Sequence, residues 1–148
     1  MKSDEHPFGA LAPRDAHKRG LYRTMTLGGE YATRNYTVKH LQDLKGKTVL
    51  TETMPFTTRE AVAAEEAGID TLKVKFDPAN PVEAIAMRKA APHTFMTFCI
   101  GLTKIATADE AVRAGYIAME AGADGIMCQW GPKMIRAVSE AGIPVEAH

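Results

Sequence analysis

Three segments of this chain pass from one expected element to the next in nearly the same words: Glu66-Ala67-Gly68-Ile69-Asp70, Glu120-Ala121-Gly122-Ala123-Asp124 and Glu140-Ala141-Gly142-Ile143-Pro144. A glycine just past a helix takes the left-handed conformation that closes it, and the residue behind it opens a strand. A joint that recurs in this way is the punctuation of a βα repeat. The implied strand starts lie roughly 20 to 30 residues apart, which leaves room for one crossover helix and little else. Neighbouring strands then run parallel with right-handed crossovers.

The pattern predicts a strand at 48–53, a helix at 58–67 and a strand at 70–76. A helix at 81–90 opens on Pro81, and a strand at 93–100 follows. The helix at 107–120 has Thr107 and Glu110 placed for a capping box. After it come a strand at 123–129, a helix at 133–141 and a strand opening at 144–148. Residues 1–46 hold no lasting period and read as an N-terminal arm. Its regular piece is a short helix over 37–46, with Thr37 as cap, Val38, Leu41 and Leu44 on one face, and Gly46 as the stop. Leu27-Gly28-Gly29-Glu30 reads as a flexible turn, or as a cradle of amides for an anion. The division is therefore 1–46, arm and short helix, and 47–148, a βα repeat domain.

Five strands with four intervening helices suit either a doubly wound sheet or about half of a TIM-type (β/α)8 barrel. The turn after the first strand, Thr53-Met54-Pro55-Phe56-Thr57-Thr58, has no glycine-rich phosphate signature, which favours the partial barrel. A closed barrel takes about 250 residues, more than the 148 here, so a second copy, another chain or further residues must supply the rest. An uncovered sheet edge would then make the protein a homo-oligomer.

Composition narrows the partners. Eighteen Lys and Arg balance eighteen Asp and Glu, so no broad basic surface addresses nucleic acid or anionic membrane. No apolar run approaches the roughly 20 residues of a membrane span. Residues 1–7 carry charge where a signal peptide needs apolar residues, and two cysteines make no disulfide framework. The expectation is a cytoplasmic protein with small-molecule or protein partners.

In both architectures ligands bind beyond the carboxyl ends of the strands. Those ends offer Thr51, Glu52 and Thr53, then Lys73, Lys75 and Asp77, then Thr97 and Cys99, then Cys128 and Gln129, and finally Glu146 and His148. Alternation puts Leu72, Val74 and Phe76 on one face of the second strand and Thr71, Lys73, Lys75 and Asp77 on the other. A lysine with depressed pKa inside a barrel forms Schiff bases with carbonyl substrates; otherwise Lys73 and Lys75 pair with Asp77 and Glu52 or reach solvent. Cys99 and Cys128 either approach one another across neighbouring strands or serve as small buried hydrophobes. Met87, Met119, Met127 and Met134 read as core filling.

The stretch from Glu120 to Ile126, then 134–138, then Ser139-Glu140-Ala141-Gly142-Ile143-Pro144-Val145-Glu146-Ala147-His148, resembles the ketopantoate hydroxymethyltransferase (3-methyl-2-oxobutanoate hydroxymethyltransferase) family of pantothenate biosynthesis. Upstream, 37–45, Leu50-Thr51 and Ala64-Glu65-Glu66-Ala67-Gly68-Ile69-Asp70 look like that family's first helix, first strand and first helix end, so the likeness spans 37–148. It implies an oligomeric barrel of the phosphoenolpyruvate mutase and isocitrate lyase superfamily. The reaction implied is hydroxymethyl transfer from methylenetetrahydrofolate to a branched 2-oxo acid. Mg2+ would chelate the oxo acid, acidify the neighbouring C–H and stabilise the enolate.

Carried over by position, the family's Gly-Asp-Ser falls on Lys75, Phe76 and Asp77, which leaves Asp77, one position late, as the metal candidate. Its second carboxylate falls on Thr97 and its third on Gln129, while its lysine falls on Met127. Thr51, Asp77, Thr97 and Gln129 are the expected substrate contacts, and Glu52 and His148 the catalytic candidates. The family's general-base glutamate lies beyond the matched stretch. Two other readings stand beside this one: another C–C bond lyase or mutase of the superfamily, and a non-catalytic half-barrel serving as a binding or assembly module.

Overall fold

The computed structural model describes residues 20–148; the signal-peptide reading of residues 1–7 falls outside them. The described part of the arm is more ordered than its weak periodicity suggests. Strands β1 (Tyr22–Met25) and β2 (Tyr31–Arg34) pair antiparallel, with Met25 opposite Tyr31 and Tyr22 opposite Arg34. Their connection is closed by the Thr26 amide donating to the Glu30 carbonyl at 2.7 Å and the Gly29 amide to the Thr26 carbonyl at 3.0 Å. The Gly29 amide is thus satisfied within the turn, and the glycine pair makes a hairpin connection. Helix α1 (Val38–Leu44) follows, capped by Thr37 as the spacing implied.

Beyond it lie β3 (Glu52–Thr53), α2 (Thr58–Ala67), β4 (Thr71–Phe76), α3 (Val82–Ala90) and β5 (Phe95–Ile100). A short 3-10 turn at Leu102–Lys104 leads to α4 (Ala108–Glu120), β6 (Gly125–Cys128), α5 (Pro132–Glu140) and β7 (Val145–Ala147). The five strands β3 to β7 form one parallel sheet in chain order. That order contains no reversal, so the sheet has no topological switch point of the doubly wound kind. No helix among the described residues is long and apolar enough to cross a membrane.

The recurring joints do what their sequence implies. Gly68, Gly122 and Gly142 have φ of 76°, 102° and 81°, a region L side chains avoid. Thr57 and Thr107 accept the backbone N–H groups of Glu60 and Glu110, and Glu110 returns the bond to complete its capping box. Alternation then sends Leu72, Val74, Phe76, Met96, Phe98, Ile100, Ile126 and Cys128 into one core. They meet a helix layer rich in alanine, including Ala61, Ala84, Ala111 and Ala118. Small side chains let α2 to α5 lie close on that face, while the Phe76 and Phe98 rings pack at 5.0 Å.

The aspartates of the repeated joints hold the arm in place. Asp70 is fully buried and accepts from the Tyr36 hydroxyl at 2.9 Å and from the Thr51 amide and hydroxyl at 2.7 Å each. Asp124 takes Arg34 at 2.6 Å, Arg88 at 2.9 Å and the Met96 amide at 2.9 Å. Asn35 joins the two clusters, donating to the Asp70 carbonyl and accepting from the Phe95 amide. Burial pushes the Arg88 guanidinium down to about 10 against the opposing pull of Asp124. These contacts gather at the amino ends of the strands, the end that serves stability in βα folds.

One strand is shorter than anticipated. Residues 48–51 do not pair as a strand, because Thr51 is drawn into the Asp70 cluster and only its carbonyl continues toward β4, accepting the Asp70 and Thr71 amides at 3.1 Å each. Val49, before it, is 84% exposed at the sheet margin.

Candidate functional site

The face of the sheet away from α2–α5 is polar, and its register sets out three rows. The first holds Glu52, Thr71 and Phe95; the second Lys73, Thr97 and Gly125; the third Lys75, Cys99, Met127 and Glu146. Helix α1 stands over the first rows, where Tyr36, Leu44 and Phe95 form a small second core with Val38, Leu41 and Leu50 against it. Between α1 and the sheet lies a groove of about 660 Å³ whose lining includes Val38, Leu41, Glu52, Thr97, Gly125 and Glu146.

At the centre of this face Lys73 bridges two carboxylates, Glu52 at 2.9 Å and Glu146 at 2.7 Å. The Thr71 hydroxyl donates to the other Glu52 oxygen at 2.9 Å, so both oxygens of Glu52 are engaged. The Lys73 side chain is 19% exposed, that of Glu52 36% and that of Glu146 44%. Burial acts to lower the Lys73 pKa, but the hydrogen bonds and charges of Glu146 and Glu52 outweigh it and hold the ammonium well above the ordinary lysine value. A Schiff-base lysine needs a neutral amine near pH 7. This one is a fixed cation instead.

Thr97 is 3% exposed and lines the groove, and its hydroxyl has no hydrogen-bond partner among the described residues. Gly125, next in the row, also lines the groove; its missing side chain lets the Pro144 backbone pack close, a Cβ there lying 3.3 Å from the Pro144 carbonyl oxygen. Cys99 faces the same side, its thiol near Met127 at 3.9 Å and pushed up to about 11 by burial, with Lys73 pulling the other way. Cys128 belongs to the opposite, helix-facing core, where burial also raises it to about 11. The two cysteines therefore do not approach one another; each is a protonated thiol.

The remaining candidates scatter. Thr51 points into the Asp70 cluster at the amino end and not to the mouth. Asp77 closes the turn before α3, accepting the Ala79 amide at 3.0 Å and Lys104 at 3.2 Å, and these hold its carboxyl below the usual range. It pairs with neither Lys73 nor Lys75. Phe76 faces the helix layer, as alternation requires of the residue between Lys75 and Asp77. Gln129 and His148 are exposed beyond β6 and β7, and the His148 amide extends the ladder by donating to Cys128 at 3.0 Å. Glu146 was legible as a strand-end residue, but its bond to Lys73 was not; the signal was a lone charge between Val145 and Ala147 in a strand beside the lysine-bearing face.

These placements test the Mg2+ cup by its donors. The expected ligand positions hold a phenylalanine in the core, a hydroxyl and an amide, and Asp77 is engaged elsewhere. Among the described residues no three His, Cys, Asp or Glu side chains cluster as a metal site. Mg2+ sheds water reluctantly and is usually held by one or two carboxylates, so these residues do not fit it.

Fold and site together define an α/β protein with a five-stranded parallel sheet, α2 to α5 on one face and a charged groove under α1 on the other. No known family model matches the sequence, and no curated protein matches it.

Proposed function

We propose that the chain is part of a TIM-type (β/α)8 barrel related to ketopantoate hydroxymethyltransferase, and that its polar face takes a branched 2-oxo acid for one-carbon transfer from methylenetetrahydrofolate. The observation that carries this reading is the groove itself: parallel strands in chain order bring Glu52, Thr97 and Glu146 into its lining beside the apolar wall of α1, with Lys73 bonded to both carboxylates. A 2-oxo acid with a branched tail presents an anionic head and an apolar end, which such a groove complements. The resemblance over 37–148 supports the same substrate class. Calorimetry with 3-methyl-2-oxobutanoate, with 3-methylbutanoate as the analogue lacking the oxo group, tests it. Preferential binding of the oxo acid is expected, with the hydroxymethylated product formed when methylenetetrahydrofolate is added. Equal or absent binding of both acids refutes the reading.

A second reading has its own support in the saturation of Lys73 by two carboxylates. On it, the sheet is a non-catalytic module whose polar face and outer strands are covered by a second copy. Sedimentation equilibrium separates the readings: a dimer that binds no oxo acid favours the module, and a monomer removes it.

A further inference from the structure

We propose that the ammonium of Lys73 stands in for the divalent cation at this site and that Glu146 is the proton acceptor, so that the enolisation of a bound 2-oxo acid proceeds without metal. This rests on the functional reading above and departs from the metal-dependent chemistry the resemblance implies.

The geometry supports each part. Lys73 lies directly beside Thr97 in the β4–β5 register, and Thr97 occupies the place where the resembling family has its second carboxylate. A positive charge here thus comes from the neighbouring strand, in a row whose own ligand has become a hydroxyl. An ammonium has three N–H donors. Two are taken by Glu52 and Glu146, which aim the group and leave the third for an incoming oxygen. The Thr97 hydroxyl, which has no hydrogen-bond partner among the described residues, supplies a second donor in the same row, and Thr97 and Glu146 both line the groove that would admit the ligand. The two carboxylates differ in availability. Glu52 has both oxygens occupied, by Lys73 and by Thr71. Glu146 is the more exposed, and among the described residues only its Oε1 is committed, to Lys73.

The step balances without any further reagent. The C–H bond next to the carbonyl breaks, its proton passes to Glu146, and its electron pair forms the enolate, whose oxygen is held by Lys73 and Thr97. Reprotonation from Glu146 reverses it. In D2O the exchanged proton is replaced by deuterium, so the step is visible without the one-carbon donor.

The test follows the methine signal of 3-methyl-2-oxobutanoate by proton NMR in D2O, with the whole protein and with or without EDTA. The expected result is exchange that EDTA leaves unchanged, that falls at least about 100-fold in Lys73→Met and in Glu146→Gln, and that survives in part in Lys73→Arg, which keeps the charge. Circular dichroism melting checks that the variants fold, and Lys73→Arg keeps the test decisive if Lys73→Met does not. Exchange abolished by EDTA and restored by Mg2+, or undiminished in folded Lys73→Met, overturns this inference and leaves the 2-oxo acid reading standing. Absence of both exchange and oxo-acid binding overturns both.

Discussion

Replacing Asp124 by asparagine tests the claim that the repeated joints anchor the arm. Its carboxylate is bonded to Arg34 from β2 and Arg88 from α3, and these side chains are 7% and 10% exposed. Arg34 also donates to the Pro92 carbonyl at 2.8 Å and Arg88 to the Thr94 carbonyl at 2.6 Å, so neither guanidinium is free to swing into water. Asparagine keeps the size and can still accept from the Met96 amide, but leaves two cations facing each other without their counter-ion. Removing one partner of a buried pair costs about 3 to 5 kcal/mol, a large part of the roughly 5 to 15 kcal/mol that holds a domain folded. With a urea slope of about 2 kcal/mol per molar, the midpoint falls by about 2 M. Lys39→Ala serves as the contrast: its pair with Asp43 is exposed on α1, the lysine by 75%, and is worth only about 0.3 to 0.5 kcal/mol. Urea unfolding followed by circular dichroism reads both variants. A loss below about 1 kcal/mol for Asp124→Asn, or one no larger than that of Lys39→Ala, would refute the anchoring argument.

Three further outcomes are expected from the same assay. Gly122→Ala should be more damaging than Gly142→Ala: both carry left-handed strain of about 1 to 3 kcal/mol, but only at Gly122 would the new carbon lie 2.7 Å from Arg88 Cγ. Equal losses would contradict it. Thr107→Ala should lower stability by about 1 kcal/mol through loss of the α4 cap, and Thr107→Ser should restore most of it. His40 Nδ1 accepts the Thr37 amide at 3.1 Å and its ring packs on Tyr22 at 4.2 Å, so α1 needs the neutral imidazole. Burial leads in lowering its pKa below 6.5, Asp43 opposes and Lys39 assists. The folded protein therefore binds this proton less readily than the unfolded chain. The stabilisation is full above about pH 6.5 and lost as pH falls through the folded value, and His40→Gln should flatten that dependence.

The βα rhythm was legible because it rests on local chemistry. Glycine after a helix and threonine before one act within a few residues, and α2 and α4 lie where those signals put them. The hairpin was not, since Tyr22–Met25 and Tyr31–Arg34 are only four residues each and their order depends on Arg34 reaching Asp124, 90 positions away. Thr51 and Asp77 have their present partners for one reason: a polar residue at a strand end serves the local fold as readily as a ligand. Asp70 and the turn before α3 claimed them. The alternation on β4 exposed the Lys73 face, but which carboxylates would meet it depended on the lateral order of β3, β4 and β7.

The groove between α1 and the sheet is where a 2-oxo acid would bind. Titrating the 15N-labelled protein with 3-methyl-2-oxobutanoate and following its amide resonances tests that most directly. Saturable shifts concentrated at Lys73, Thr97, Gly125 and Glu146 are expected, weakened in Lys73→Met. Shifts confined to the hairpin or the helix layer, or none at millimolar oxo acid, would contradict it.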